Sequence, residues 1–175
     1  MTRSGYITII GLTALLMSGC GGKGPQIPSQ RKGEAPKDDS SALAVMEMNL
    51  RLACAADDQL RQLATAQEES YALYDAGTWI HIIDRGNESM PAPGPNDTCE
   101  LHMRVYSLNG RLLLDTEGTF SRRKNEIPAG VDWNLGELHP GGKARLYVPW
   151  YMAYGLQGTD YIPPYENVII DIELR

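Results

Sequence analysis

At the C-terminal end of this 175-residue chain, Val168, Ile170, Ile172 and Leu174 alternate with Ile169, Asp171 and Glu173. A period of two puts the first set on one face of an extended strand and the second on the other. This segment therefore belongs to a sheet with one buried face. Other segments read the same way. Residues 143–148 alternate through Ala144, Leu146 and Val148, and residues 99–108 through Leu101, Met103 and Val105, with His102 and Arg104 opposite. Residues 78–83 are β-branched and aromatic, as strands prefer. Asn109-Gly110 is a strong hairpin signal, and Leu112-Leu113-Leu114 begins the return strand. Between the strands, Val131, Leu135 and Leu138 fall at i, i+4 and i+7 and predict one short amphipathic helix, closed by Pro140-Gly141-Gly142. Antiparallel strands around one helix define an α+β domain.

Upstream the period changes. Leu43, Met46, Leu50 and Ala53 lie on one helical face. Asp57 reads as the N-cap of a second helix carrying Leu60, Leu63 and Ala64, with Gly77 as its stop. Both are too weakly apolar to stand alone, so the pattern predicts that they pack on the strands downstream. At the N-terminus Arg3 precedes an apolar run, residues 6–17, too short to span a bilayer core. It ends Leu16-Met17-Ser18-Gly19-Cys20, which resembles a bacterial lipobox. That resemblance implies a signal peptide over 1–19, acylation of Cys20, and a protein anchored in the cell envelope, on the outer membrane facing the periplasm. Residues 20–41, rich in Gly, Pro, Ser, Lys and Asp, lack the apolar material to offset ordering entropy and read as a tether. The expected division is 1–19 signal, 20–41 tether, 42–76 helical arm and 77–175 domain.

Sixteen Lys and Arg against 22 Asp and Glu leave a net charge of −6, which argues against nucleic-acid binding through phosphates. Three cysteines cannot make a dense disulfide scaffold. Cys54 and Cys99 could pair in an oxidising compartment, but two buried thiols are the favoured expectation. His81, His102 and His139 show no metal-ligand spacing, and no cofactor is called for.

The run Gly141-Gly142-Lys143-Ala144-Arg145-Leu146-Tyr147-Val148-Pro149, then Ala153-Tyr154-Gly155, Ile162-Pro163-Pro164 and Ile170-Asp171-Ile172-Glu173-Leu174, resembles an FKBP-type peptidyl-prolyl cis-trans isomerase. The wider resemblance spans residues 77–175, and the helical arm is similar to lipoprotein members with an N-terminal helical extension. It implies a twisted antiparallel sheet of about five strands wrapped on a short helix, with a peptide pocket between them, preceded by the α-helical arm. It also implies an activity that isomerises X-Pro bonds in exported proteins without metal or nucleophile. Tyr154 would hold a substrate carbonyl and Asp115 would be the strand-end carboxylate. One extra residue between Gly110 and Asp115 makes Leu113 and Leu114 compete for an aromatic position of the family. Val131, Ile162, Phe120, Met103, Leu114, Ile127 and Ile170 would line the pocket.

Several positions depart from the family pattern. The floor tryptophan is Val131, and Trp133, two residues on, points away from that floor. The position that would offer a backbone N–H to substrate is Pro128, which has none, and Ile127 takes the role only if Ala129 is an insertion. Met103 and Ile170 replace aromatic residues. The pocket stays apolar with fewer rings, implying weaker proline gripping. Two rivals stand beside the enzyme: a catalytically weak peptide-binding or chaperone module, and an accessory lipoprotein of an envelope or motility assembly.

Overall fold

The computed structural model describes residues 40–175; the signal peptide, Cys20 and nearly all of the tether lie outside the described residues. The element order is α1 (Ser40–Thr65), β1 (Ala72–Leu73), β2 (Trp79–Asp84), β3 (Thr98–Ser107), β4 (Leu112–Ser121), α2 (Ala129–Asn134), β5 (Lys143–Val148) and β6 (Val168–Leu174), with 3₁₀ turns at Asp75–Gly77, Leu135–Glu137 and Trp150–Met152. The strands form one antiparallel sheet in the order β1-β2-β5-β6-β3-β4. β1 is a two-residue edge that the sequence pattern does not announce.

The inner face carries the main core. Leu101, Met103 and Val105 of β3, Ala144, Leu146 and Val148 of β5, and Val168, Ile170, Ile172 and Leu174 of β6 close over Val131, Leu135 and Leu138 from α2 and the turn after it. The alternation read from the sequence is the alternation of burial in β3 and β6. The β3–β4 hairpin turns at Asn109-Gly110, with Gly110 at φ +83° and the Ser107 N–H donating to Arg111 O at 2.9 Å. The register then slips between Val105 and Tyr106: Val105 faces Leu114 and Tyr106 faces Leu112. Leu113 is the bulged residue, which is where the extra residue falls.

α1 corrects the reading of two helices. It runs unbroken through Asp57, because Ala55-Ala56 continue the helix and the Asp57 carboxylate accepts from the Tyr151 hydroxyl instead of capping. Its last turns lie on the outer sheet face, where Leu60, Ala64 and Tyr147 form a second apolar cluster with Leu63, Tyr71, Trp79, Leu108 and Ile169 around them. Tyr71 stacks on Tyr147 at 4.6 Å. Leu43, Met46 and Leu50, expected to pack on the domain, are exposed, since the sheet reaches only the later turns. Cys54 and Cys99 are free thiols. Cys99 is buried, and Cys54, expected to be buried, is exposed.

Candidate functional site

Tyr154 follows the Trp150–Met152 turn in a loop braced by its own backbone. Gly155 N–H donates to Trp150 O at 2.8 Å, Thr159 N–H to Ile162 O at 2.8 Å, and Tyr165 N–H to Gly155 O at 3.2 Å. The Thr159 hydroxyl accepts from Ile162 N–H at 3.1 Å. This bracing turns Ile162 inward and lays the Tyr154 ring against the main core. The Tyr154 hydroxyl is buried and has no hydrogen-bond partner. An unpaired buried hydroxyl costs roughly 1–3 kcal/mol, so a donor is held ready with nothing to donate to. Burial also pushes its pKa from 10.0 up to about 12.

That shift carries a consequence for alkaline stability. Between pH 10 and about 12 the unfolded chain releases the Tyr154 proton and the folded chain keeps it. The unfolded state then binds fewer protons, so stability falls as pH rises through this window. Urea unfolding of Tyr154→Phe is expected to show a shallower decline over the same range, by about 2 kcal/mol at its end.

The family-predicted apolar residues meet in one place. Val131, Met103, Ile127, Ile162 and Ile170 are buried members of the main core, and Phe120, Leu114 and Tyr154 pack against it half-buried. Pairing shows why: Leu114 faces Val105 and Phe120 faces Cys99, so both share the inner face of β3. Trp133 is 48% exposed, on the other side of α2 from Val131. Pro128 caps α2 without a side-chain hydrogen bond. Among the described residues nothing accepts the Ile127 N–H, which leaves that amide available.

Asp115 does not join them. With Leu114 directed inward, the next residue of the strand points outward. Asp115 stands opposite Arg104, is 51% exposed, and lies 2.7 Å from His102 Nε2. It belongs to the outer face, as do the ion pairs Arg145–Asp171 and Lys143–Glu173. The polar faces of residues 99–108 and 112–121 carried that signal, since His102, Arg104 and Asp115 fall on the same side once the strands are paired.

What the sequence reading missed is how α2 is held. Arg122, at the end of β4, is buried against Asp132, with side chains 6% and 8% exposed. Its Nε donates to Asp132 Oδ1 at 3.0 Å and its Nη2 to Asp132 O at 2.6 Å, while Nη1 donates to Pro93 O. Arg123 N–H donates to Asp132 Oδ2 at 2.8 Å. Both carboxylate oxygens are engaged, and Asp132 fixes the position of Val131 beside it. No residue pattern in the chain announces this pair. Among the described residues no group of three or more His, Cys, Asp or Glu is placed to hold a metal.

A sheet closed over a short helix, with a loop tyrosine directed at the seam, defines a class of fold that known proteins share. The family model for FKBP-type peptidyl-prolyl cis-trans isomerases matches residues 90–175. The macrophage infectivity potentiator of Trypanosoma cruzi is 35% identical over 108 residues, covering 57% of this chain and 52% of that protein. The peptidyl-prolyl cis-trans isomerase FKBP15-3 of Arabidopsis thaliana is 30% identical over 104 residues, covering 56% of this chain and 72% of that protein. The crystal structure of FkpA from Escherichia coli superposes with a TM-score of 0.60 at 24% identity, over 78% of this chain and 64% of that one, a likeness of fold. The chain belongs to the FKBP-type peptidyl-prolyl cis-trans isomerase family. It spans about half the length of the first curated relatives it matches.

Proposed function

We propose that the protein is a prolyl isomerase that turns X-Pro bonds of exported proteins, anchored to the cell envelope through a lipid on Cys20 and facing the periplasm. The observation that carries the isomerase reading is the Tyr154 hydroxyl, buried without a partner against an apolar cluster. The barrier to rotation, about 18–20 kcal/mol, is amide resonance lost as the bond twists. A twisted imide is less polar than a planar one, so a water-poor apolar surface favours it over the ground state. Val131, Ile162, Met103, Phe120, Leu114, Ile127 and Ile170 would supply that surface. The Tyr154 hydroxyl would donate to a substrate carbonyl beside the rotating bond, and the free Ile127 N–H to another. Asp115 faces the other way and has no part in this scheme. Valine in place of a floor ring implies slow turnover, which keeps a peptide-binding module as the alternative.

The test is a protease-free isomerisation assay with a proline tetrapeptide on the wild type and Tyr154→Phe. The variant is expected to lose about three- to tenfold in kcat/KM, one hydrogen bond's worth. It is also expected to gain about 1 kcal/mol of stability near neutral pH, because the orphan hydroxyl is gone. Lower activity with higher stability is the combination that a merely structural tyrosine would not produce. A wild-type rate equal to the uncatalysed one would transfer the assignment to the binding module. Labelled palmitate incorporation, lost in Cys20→Ser, tests the anchor.

A further inference from the structure

Three hollows run into one another along the flank of α1. One, of about 570 Å³, lies between the helix and Trp150, Tyr165 and Asn167. A second, of about 280 Å³, continues to Ser107, Leu108 and Asn109, and a third, of about 420 Å³, follows Gln62 and Leu63. Gln59 borders all three. Together they make a groove that follows α1 from Leu52 to Leu63, a length of about 16 Å, or roughly five residues of extended chain.

The side chains of this groove leave a row of N–H donors without a protein acceptor. Three of the four carboxamide oxygens are already used. Asn167 Oδ1 accepts from Trp150 N–H at 2.9 Å, Gln59 Oε1 from Asn167 Nδ2 at 2.9 Å, and Asn109 Oδ1 from Arg111 N–H at 3.3 Å and from the Ser107 hydroxyl. Among the described residues nothing accepts from Gln59 Nε2, Gln62 Nε2 or Asn109 Nδ2. Trp150 is 7% exposed, yet its indole N–H is buried with no acceptor. Tyr165, at φ +58°, is held in a backbone conformation that disfavours an aromatic residue, and its ring meets Trp150 edge-on at 5.0 Å.

A row of unused N–H groups calls for a ligand rich in oxygen acceptors. The charged residues bordering it, Asp58 and Glu166, are acidic and disfavour an anion. Neutral carbonyls at regular spacing meet both conditions, and Leu52, Leu63 and Leu108 offer apolar seats for side chains between them. We infer that this groove is a second binding site, separate from the isomerase pocket, for a neutral extended peptide. The Trp150 indole N–H and the side-chain amides of Gln59, Gln62 and Asn109 grip its carbonyls. Trp150 and Tyr165 lie at the two ends of the loop that carries Tyr154 and Ile162. A chain held in the groove is therefore held beside the pocket's own loop.

The test uses the full-length ¹⁵N-labelled chain and a proline-free dodecapeptide, an acetylated and amidated fourfold repeat of Ser-Val-Asn. Being proline-free, the probe separates this site from the isomerase reading, so either can fail alone. Titration is expected to move one indole N–H signal downfield, the one missing from Trp150→Phe. The exposed pair Gln59→Ala and Gln62→Ala should weaken binding by about tenfold with the isomerisation rate unchanged. An indole signal that stays put at millimolar peptide, or a double variant that binds as the wild type does, would overturn the proposal. So would a signal that moves with maltoheptaose and not with peptide, which would make the groove a glycan site.

Discussion

Asp132→Leu is expected to destabilise the domain by about 3–5 kcal/mol, because it strands a buried guanidinium. Arg122 has no route to solvent: its side chain is 6% exposed and its donors are aimed at Asp132 and Pro93 O. Removing the carboxylate leaves one backbone carbonyl at each of two nitrogens and nothing at Nε, and it also orphans the Arg123 N–H. Arg122→Met combined with Asp132→Leu should recover most of the loss, since the charge and its partner leave together. Urea denaturation of the two variants measures both numbers. If Asp132→Leu cost under about 1 kcal/mol, the pair would be behaving like an exposed one, and its role in seating α2 would fall. Because Val131 adjoins Asp132, the single variant should also disturb the apolar cluster around Val131 before the domain unfolds.

On the proposed isomerase reading, Gly158→Ala is expected to reduce kcat/KM by roughly tenfold or more, as a displacement near 1 Å at a reacting site can do. Gly158 sits at φ +64°, and a β-carbon there would fall 2.1 Å from Ile162 O and 2.6 Å from the Pro163 carbonyl carbon. Those obstacles are backbone and cannot rotate away. The strand of loop that carries Ile162 must shift, and Ile162 is a buried part of the apolar cluster beside Tyr154. Gly110→Ala is the matched comparison: its φ is +83°, yet nothing lies within 4 Å of the added carbon. That variant should lose about 1 kcal/mol from backbone strain alone and keep its activity. Equal rates for the two variants would show that the Gly158 loop does not position the pocket.

The parts of this fold that were legible in the chain are those in which one periodicity decides burial. β5 and β6 begin and end where the alternation does, because each has one face in the main core and an outer face that is part charged and part covered by α1. β1 was illegible: two residues hold no period, and its pairing with Trp79 and Ile80 is a tertiary fact. The Asp57-Asp58 pair misled for a different reason. Aspartate is a good N-cap, but nothing in the neighbouring alanines breaks the helix, and Tyr151, 94 residues away in sequence, supplies the partner. Within the candidate site, the gathering of Val131, Ile162, Met103, Phe120, Leu114, Ile127 and Ile170 could be expected from the resemblance. The direction of Asp115 could not, since it depends on which leucine the bulge expels. The Arg122–Asp132 pair and the donor row beside α1 depend on loops meeting distant elements, and such meetings leave no local trace.

The last turns of α1 form one wall of a greasy seam, and that has a practical side. Trimming the chain at Gly77 would strip Leu60 and Ala64 from Tyr147, take Tyr71 off its ring, and remove the edge partner of Trp79. What looks like an appendage is thus also a lid on the back of the sheet. A fragment that keeps the back of the sheet covered starts within the helix, upstream of Ala56, and not at the first long strand.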